Sequence, residues 1–206
     1  MFSVHSAQGS DEEVKKILSF DPGGTTGYCF MVYTDKEFPM MIDSGQIPDG
    51  HKGFVKWWRS YGVELAVGST IVCESFTLRE GVPGVNLEPC YVMGALEGML
   101  RNQEVVYQKP TFKAYCDNDA LKRLGFYLRG QQHARDAVRH AIAYLRLREK
   151  HIPTYRVGWP DDDSLEKNKL CECCIERYKD EIPKPCGLGC KPCGSCTKGK
   201  PINNTR

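Results

Sequence analysis

The stretch that most constrains the fold runs from Ile17 to Tyr28 and reads ILSFDPGGTTGY. Its apolar beginning predicts a buried strand, and Pro22 with two following glycines predicts a tight turn, because proline lacks an amide donor and glycine tolerates positive φ. Asp21 is therefore expected at the carboxyl end of a strand, where it faces a cleft. The apolar and aromatic residues after the turn predict the returning strand of a hairpin.

A second acid occupies a similar position later in the chain. In residues 70–76, TIVCESF, Ile71 and Val72 predict a buried strand that leads to Glu74. A buried glutamate is unusual unless it is paired or bound to a cation, so Glu74 is a candidate site residue. The alternative is a glutamate that leaves the strand end and reaches solvent.

Residues 131–150 predict an amphipathic helix that closes the core. At 100° per residue, His133, Asp136 and His140 share one sector about 60° wide, beside a separate apolar stripe and a separate arginine stripe. Asp136 is a candidate acid for the same site as Asp21 and Glu74, although the neighbouring arginines could simply pair with it. His140 lies on the same face and receives no role from the sequence.

These motifs together resemble those of the RuvC-like Holliday junction resolvases of the ribonuclease H-like superfamily. The resemblance covers roughly residues 15–150, and the short form Asp-Pro-Gly-Gly-Thr-Thr-Gly is similar to phage members of the group. It implies an α/β ribonuclease H-like fold, with a mixed sheet flanked by helices. It also implies that Asp21, Glu74, His133 and Asp136 are the catalytic residues, since His-x-x-Asp matches the last acidic motif of the family.

Hard oxygen ligands of this kind suit Mg²⁺ or Mn²⁺, and two ions could support hydrolysis of a phosphodiester. Asp21 would bridge both ions, Glu74 would hold one, and Asp136 with His133 would hold the other. The histidine makes the site less negative, so it could favour Mn²⁺. It could instead carry a proton, because histidine titrates near neutral pH.

The charge distribution favours a polyanionic substrate. Residues 61–100 have a net charge of −4 and residues 101–150 a net charge of +6, within a chain of net charge +2. In the second segment the order Tyr-x-x-Pro-x-x-Lys resembles the part of the resolvases that presents a lysine to the DNA backbone. The residues expected to contact DNA are Lys109, Lys113, Lys122, Arg123 and Arg129.

Two helices are expected on the faces of the sheet. The first runs from an N-cap at Asp49 to a terminator at Gly62. The second covers residues 90–100 and has small residues at positions 94, 95 and 98. That helix could form the seam of a homodimer, which two-fold symmetric cutting of a four-way junction requires, or could pack on the sheet of its own chain.

The last part of the chain is different in kind. Seven of the eleven cysteines fall between residues 171 and 196, and three pairs have C-x-x-C spacing, which predicts a structural Zn²⁺ site. The alternative is a disordered tail. The expected zinc ligands are Cys171, Cys174, Cys186, Cys190, Cys193 and Cys196.

The sequence therefore predicts a flexible leader (1–14), a nuclease core (15–152) and a cysteine-rich zinc-binding tail (153–206). It shows neither a run of about 18 apolar residues nor a signal peptide, so a cytoplasmic protein is expected, in the host cell if a phage encodes it. The predicted function is cleavage of branched DNA. The alternatives are another ribonuclease H-like nuclease and a zinc-dependent DNA-binding or adaptor protein without enzymatic activity.

Overall fold

The computed structural model describes residues 12–76, 84–101 and 103–162. The chain divides into two compact units, residues 1–160 and 161–206. The sheet, its helices and the candidate site belong to the first unit. All six cysteines expected to bind zinc lie outside the described residues.

Five strands form a single mixed sheet with the order β3-β2-β1-β4-β5. Their bounds are β1 Lys15–Asp21, β2 Thr26–Tyr33, β3 Met40–Ile47, β4 Ser69–Glu74 and β5 Val105–Gln108. β2 is antiparallel to both of its neighbours, whereas β1, β4 and β5 are parallel to one another. The hairpin of β1 and β2 is the one predicted around the turn at Pro22.

The helices lie between and after the strands. Their bounds are α1 Gly50–Trp57, α2 Val63–Ala66, α3 Glu88–Leu100, α4 Asn118–Arg123, α5 Gln132–Leu147 and α6 Ile152–Gly158, with a π-helical turn at Trp58–Gly62 and a 3₁₀ helix at Pro110–Tyr115. Within the described parts of the chain, no helix is long and apolar enough to cross a membrane.

Alternate residues of β1 enter two separate hydrophobic cores, because successive side chains of a strand point to opposite faces. Ile17 packs with α4 and α5 on one face of the sheet. Leu18 and Phe20 pack with α1 and α3 on the other face. The predicted α/β class, a mixed sheet flanked by helices, is confirmed.

The first helix begins where predicted but continues beyond its predicted end. Asp49 is the N-cap residue, as predicted, although it has a left-handed backbone (φ 66°) and its side chain makes no capping hydrogen bond. Glu88 at the start of α3 supplies the acceptor instead, at 2.8 Å from the backbone nitrogen of His51. Gly62 does not end the helical path, which continues through the π-helical turn into α2.

Gly27 brings β2 and α5 into direct backbone contact. A methyl group at this position would lie 1.9 Å from the carbonyl oxygen of His133 and 2.8 Å from the nitrogen of Ala134. Gly27 also pairs with Asp21 across the hairpin. The absence of a side chain at position 27 therefore sets how close α5 lies to the end of β1.

We expect Gly27→Ala to lower the free energy of unfolding by about 1–3 kcal/mol, because the added methyl group would collide with a helix backbone that cannot move alone. Chemical denaturation of the two proteins measures this difference. Gly24→Ala is the matched control, since the nearest atom to its added methyl group is 4.0 Å away. If both variants lost the same free energy of unfolding, a collision with α5 would not explain the loss in Gly27→Ala.

Candidate active site

Two carboxylates leave the same edge of the sheet because β1 and β4 are parallel neighbours. Phe20 pairs with Cys73 in the register of these strands, so the next residues, Asp21 and Glu74, emerge side by side. Asp21 is buried and Glu74 is half-buried. Rigid parallel strands therefore hold both acids where the sequence predicted them.

Helix α5 adds the third carboxylate, Asp136, which is also buried. The helix is fixed to the sheet by a hydrogen bond that the hydroxyl of Ser19 in β1 donates to the carbonyl of Ala137, at 2.8 Å. Asp136 comes one residue before that carbonyl. The link to β1 therefore determines which turn of α5 faces the ends of the strands.

The three carboxylates meet at the ammonium group of Lys113, which the 3₁₀ helix after β5 provides. The Nζ atom lies 2.7 Å from Oε2 of Glu74, 3.3 Å from Oδ1 of Asp21 and 3.4 Å from Oδ2 of Asp136. A second cation, the guanidinium of Arg139, also contacts Asp136. The arrangement is a pocket of negative charge with a positive charge at its centre.

The pKa values of these groups reflect burial and mutual contact. Burial raises the pKa of Asp21, and the charges of Glu74 and Asp136 act in the same direction, while Lys113 and His133 oppose it. Burial also works against ionisation of Glu74, but hydrogen bonds from His140 and Lys113 lower the pKa of Glu74 to about 2. Burial disfavours the charge on Lys113, yet its acidic partners raise the pKa of Lys113 above the usual range.

His133 lies at the solvent side of the site. Its Nδ1 atom is 3.0 Å from Oδ2 of Asp21, and 42% of its side chain is exposed. Its backbone nitrogen donates to the side-chain oxygen of Gln46 at 3.0 Å, which fixes the start of α5 against β3. The structure thus brings together all four residues that the sequence grouped: Asp21, Glu74, His133 and Asp136.

His140 is the residue whose part in the site the sequence did not identify. Its side chain is fully buried, with Nε2 at 2.7 Å from Oε2 of Glu74 and Nδ1 at 2.7 Å from the side-chain oxygen of Gln108. The helical periodicity placed His140 on the face of Asp136, which was the available signal. Its partners come from β4 and β5, and helical spacing alone cannot identify them.

The donor set fits a divalent cation. Ligand atoms of Asp21, Glu74 and His140 lie within 4.8 Å of one another, and the convergence on Lys113 shows that the carboxylates already surround a cation. Carboxylate oxygens suit Mg²⁺ and Mn²⁺, which keep several waters and need only a few protein ligands. The residues present therefore match the ions expected from the sequence.

The five residues expected to contact DNA do not share one environment. Lys113 lies among the carboxylates, whereas Lys109, Lys122, Arg123 and Arg129 are exposed. Lys122 forms an ion pair with Asp119 at 2.9 Å, and Arg123 donates to the carbonyl of Gly158 at 2.8 Å.

Comparison with solved structures gives several neighbours, and two of them are structures of Thermus thermophilus RuvC. The structure of Thermus thermophilus RuvC in complex with a Holliday junction substrate matches 65% of this chain and 96% of its own, at 12% identity and a TM-score of 0.47. Another structure of Thermus thermophilus RuvC matches 64% and 95%, at 14% identity and a TM-score of 0.44. No protein-family profile and no curated protein matches the chain.

We expect Asp21→Asn to raise the melting temperature at neutral pH in buffer without divalent cations. The pKa of Asp21 is raised, so its ionised form costs stability above that pKa, and this cost disappears as the pH falls below the ordinary value of 3.8. The gain in melting temperature should therefore shrink towards acidic pH.

Added Mn²⁺ should stabilise the wild type but not the variant, because a cation that binds only the folded state raises the melting temperature.

Thermal denaturation across this pH range measures both effects. Asp35→Asn is the control of opposite sign, since the hydrogen bond and charge of Lys15 lower the pKa of the exposed Asp35. A lower melting temperature for Asp21→Asn than for the wild type at neutral pH would contradict a raised pKa of Asp21 in the folded protein.

Proposed function

We propose that the protein is a metal-dependent, structure-selective endonuclease that cuts branched DNA, with Holliday junctions as the principal substrate and forks and flaps as related ones. The observation that carries the proposal is the convergence of three carboxylates from β1, β4 and α5 on a single cation at one edge of the sheet. Such a cluster could hold the divalent cations that would neutralise the charge of a reacting phosphate in phosphodiester hydrolysis.

We assign Asp21, Glu74, His133 and Asp136 as the ligands of Mg²⁺ or Mn²⁺. When bound, such ions activate water and stabilise the leaving oxygen of the DNA strand. Asp21 is the central ligand in this assignment, because one of its oxygens contacts Lys113 and the other contacts His133. The ring of His133 is also exposed enough to pass a proton to solvent, so we assign it a second role in proton transfer.

The exposed basic residues supply the DNA contacts in this proposal. Lys109, Lys122, Arg123 and Arg129 belong to residues 101–150, which have a net charge of +6, and all four lie between β5 and α5. We assign these four to backbone phosphates away from the cut, since phosphate contacts position a nuclease without reading sequence. We assign Lys113 to the phosphate nearest the carboxylates.

Cutting a four-way junction symmetrically takes two active sites, so we propose a homodimer. Helix α3 supports this, because side chains added at Gly94 and Gly98 would meet open space, and Tyr91 beside them is half exposed. The short Asp-Pro-Gly-Gly-Thr-Thr-Gly motif supports a phage-type enzyme that acts on DNA in the cytoplasm of the host.

We expect the wild-type protein to place paired nicks on opposite strands of a labelled synthetic four-way junction when Mg²⁺ or Mn²⁺ is present. Asp21→Asn should cut more than about 100-fold more slowly, because even a residue that only orients a metal ligand is worth 10- to 100-fold. Gel analysis of both labelled strands measures rate and symmetry together. Asp35→Asn, an exposed acid with its own lysine partner, should cut like the wild type.

Other outcomes of this assay correspond to the alternative functions. Cleavage of a linear hybrid or fork but not of the junction would indicate a different ribonuclease H-like nuclease. Junction binding without any cleavage by the wild type would indicate a DNA-binding or adaptor protein, and would overturn the enzymatic proposal.

We also propose that the cysteine-rich segment binds structural Zn²⁺ through Cys171, Cys174, Cys186, Cys190, Cys193 and Cys196. The C-x-x-C spacings support this, since one such pair supplies two thiolates and two pairs together complete a tetrahedral zinc site. The basic residues between and after these cysteines support a further contact with DNA phosphates or with a partner protein.

We expect the purified protein to contain zinc, and we expect Cys171→Ser/Cys174→Ser to lose zinc and to bind the junction more weakly. Elemental analysis and a binding titration measure the two effects. Cys90→Ser is the matched control, because Cys90 is a free thiol in α3. Unchanged zinc content and unchanged junction affinity in the double variant would remove the zinc proposal.

A further inference from the structure

His140 and Gln108 form a buried polar pair directly behind Glu74. The imidazole contacts the carboxylate through one ring nitrogen and the amide of Gln108 through the other, each at 2.7 Å. We propose that His140 is a positioning residue which, together with Gln108, fixes the carboxylate of Glu74 in the orientation that binds the catalytic cation. This inference rests on the proposed metal-dependent function.

The direction of the hydrogen bond between His140 and Glu74 follows from the contacts of the Glu74 carboxylate. Oε2 of Glu74 lies 2.7 Å from the ammonium group of Lys113 and 2.7 Å from Nε2 of His140, and a carboxylate oxygen paired with an ammonium group accepts. Nε2 of His140 therefore donates to Oε2 of Glu74, and Nδ1 donates to the side-chain oxygen of Gln108, since an amide oxygen can only accept. Two donors, His140 and Lys113, share that one oxygen, which restricts rotation of the carboxylate.

Gln108 holds the imidazole in place from the other side. It ends β5 and pairs with Glu74 in the register of β4 and β5, so both side chains start from neighbouring backbone positions. The carbonyl of Gln108 also accepts from the backbone nitrogen of Ser75 at 2.7 Å. Backbone and side chain of Gln108 thus both act on the segment that carries Glu74.

The pair does not serve packing alone. Gln108 is only 2% exposed, and its amide nitrogen lacks a hydrogen-bond partner among the described residues. A buried polar group without a partner is unfavourable, whereas apolar side chains of similar shape in both positions can be neutral or stabilising. The orientation of Glu74 gives a reason for polar residues here that stability does not give.

Both ring nitrogens of His140 are already engaged. Nε2 faces Glu74 and Nδ1 faces Gln108, so the imidazole has no nitrogen left for a cation while it holds the carboxylate. Its full burial also separates it from solvent, in contrast to the exposed ring of His133. The geometry therefore points to a role through Glu74 rather than to direct ligation.

The test is calorimetric titration of the full chain with Mn²⁺ in the absence of DNA. We expect His140→Leu to weaken binding by about 10- to 100-fold, the range for loss of a group that orients a metal ligand. His140→Gln, which keeps an N–H donor towards Glu74, should stay within about threefold of the wild type. Asp21→Asn gives the background from any binding elsewhere in the chain.

Two further variants separate positioning from stability. His140→Leu/Gln108→Leu should bind Mn²⁺ as weakly as His140→Leu, while its melting temperature without metal should be higher than that of His140→Leu, because the buried amide of Gln108 is no longer left without its partner. In a Glu74→Gln background, His140→Leu should cause no additional loss, because the group it orients is already absent.

The possible failures are distinct. If the wild type binds Mn²⁺ and His140→Leu binds it equally well, the positioning role is wrong and the proposed function stands. If His140→Gln is as weak as His140→Leu, a donated hydrogen bond does not explain the effect, and the positioning role is again wrong. If the wild type itself does not bind Mn²⁺ above the Asp21→Asn background, the proposed function fails together with the inference.

Discussion

Repulsion among Asp21, Glu74 and Asp136 is the constraint on which the rest of the site depends. Three carboxylates in a mostly buried corner would repel one another and would also lose their hydration, and both effects are costly in a protein interior. Lys113 compensates by placing one ammonium group within 3.4 Å of an oxygen of each. The fold can keep the acids together only because a cation is always available to them.

Each part of the fold supplies one or two of the charged residues in this site. The parallel pair of β1 and β4 sets two acids side by side, and α5 brings the third across one face of the sheet. The 3₁₀ helix after β5 returns the lysine to the same edge. The opposite face, packed by α1 and α3, contains none of these four residues and provides a rigid support.

The sequence predicted the elements that carry a local signal. Asp21 and Glu74 are predicted because apolar runs end on them, whereas His133 and Asp136 are predicted because one amphipathic helix carries both and their spacing resembles the last acidic motif of the resolvases. The position of Lys113 among the acids was not predicted, because it depends on where a short 3₁₀ helix lies relative to strands distant in the sequence. The acceptor for the first turn of α1 was not predicted for a similar reason, since Glu88 comes from another helix, while Asp49 occupies the predicted N-cap position without capping.

His140 shows the same limit at a single residue. Periodicity predicts which face of α5 it occupies, but its two partners lie 32 and 66 residues away along the chain. The tail beyond residue 162 presents the reverse case, because cysteine spacing is a strong local signal that needs no tertiary information. Its zinc site accordingly remains a prediction from sequence alone.

The hydrogen bond between Ser19 and Ala137 has a consequence for how the protein meets its ligands. It joins the middle of the central strand to the middle of the longest helix, inside a core from which water is excluded. Neither element can slide by one residue without breaking it, so the acids do not have to be assembled when a cation or a DNA strand arrives. Binding would then require little rearrangement of the backbone, and the movement of Lys113 away from the carboxylates would be the main change when a cation takes its place.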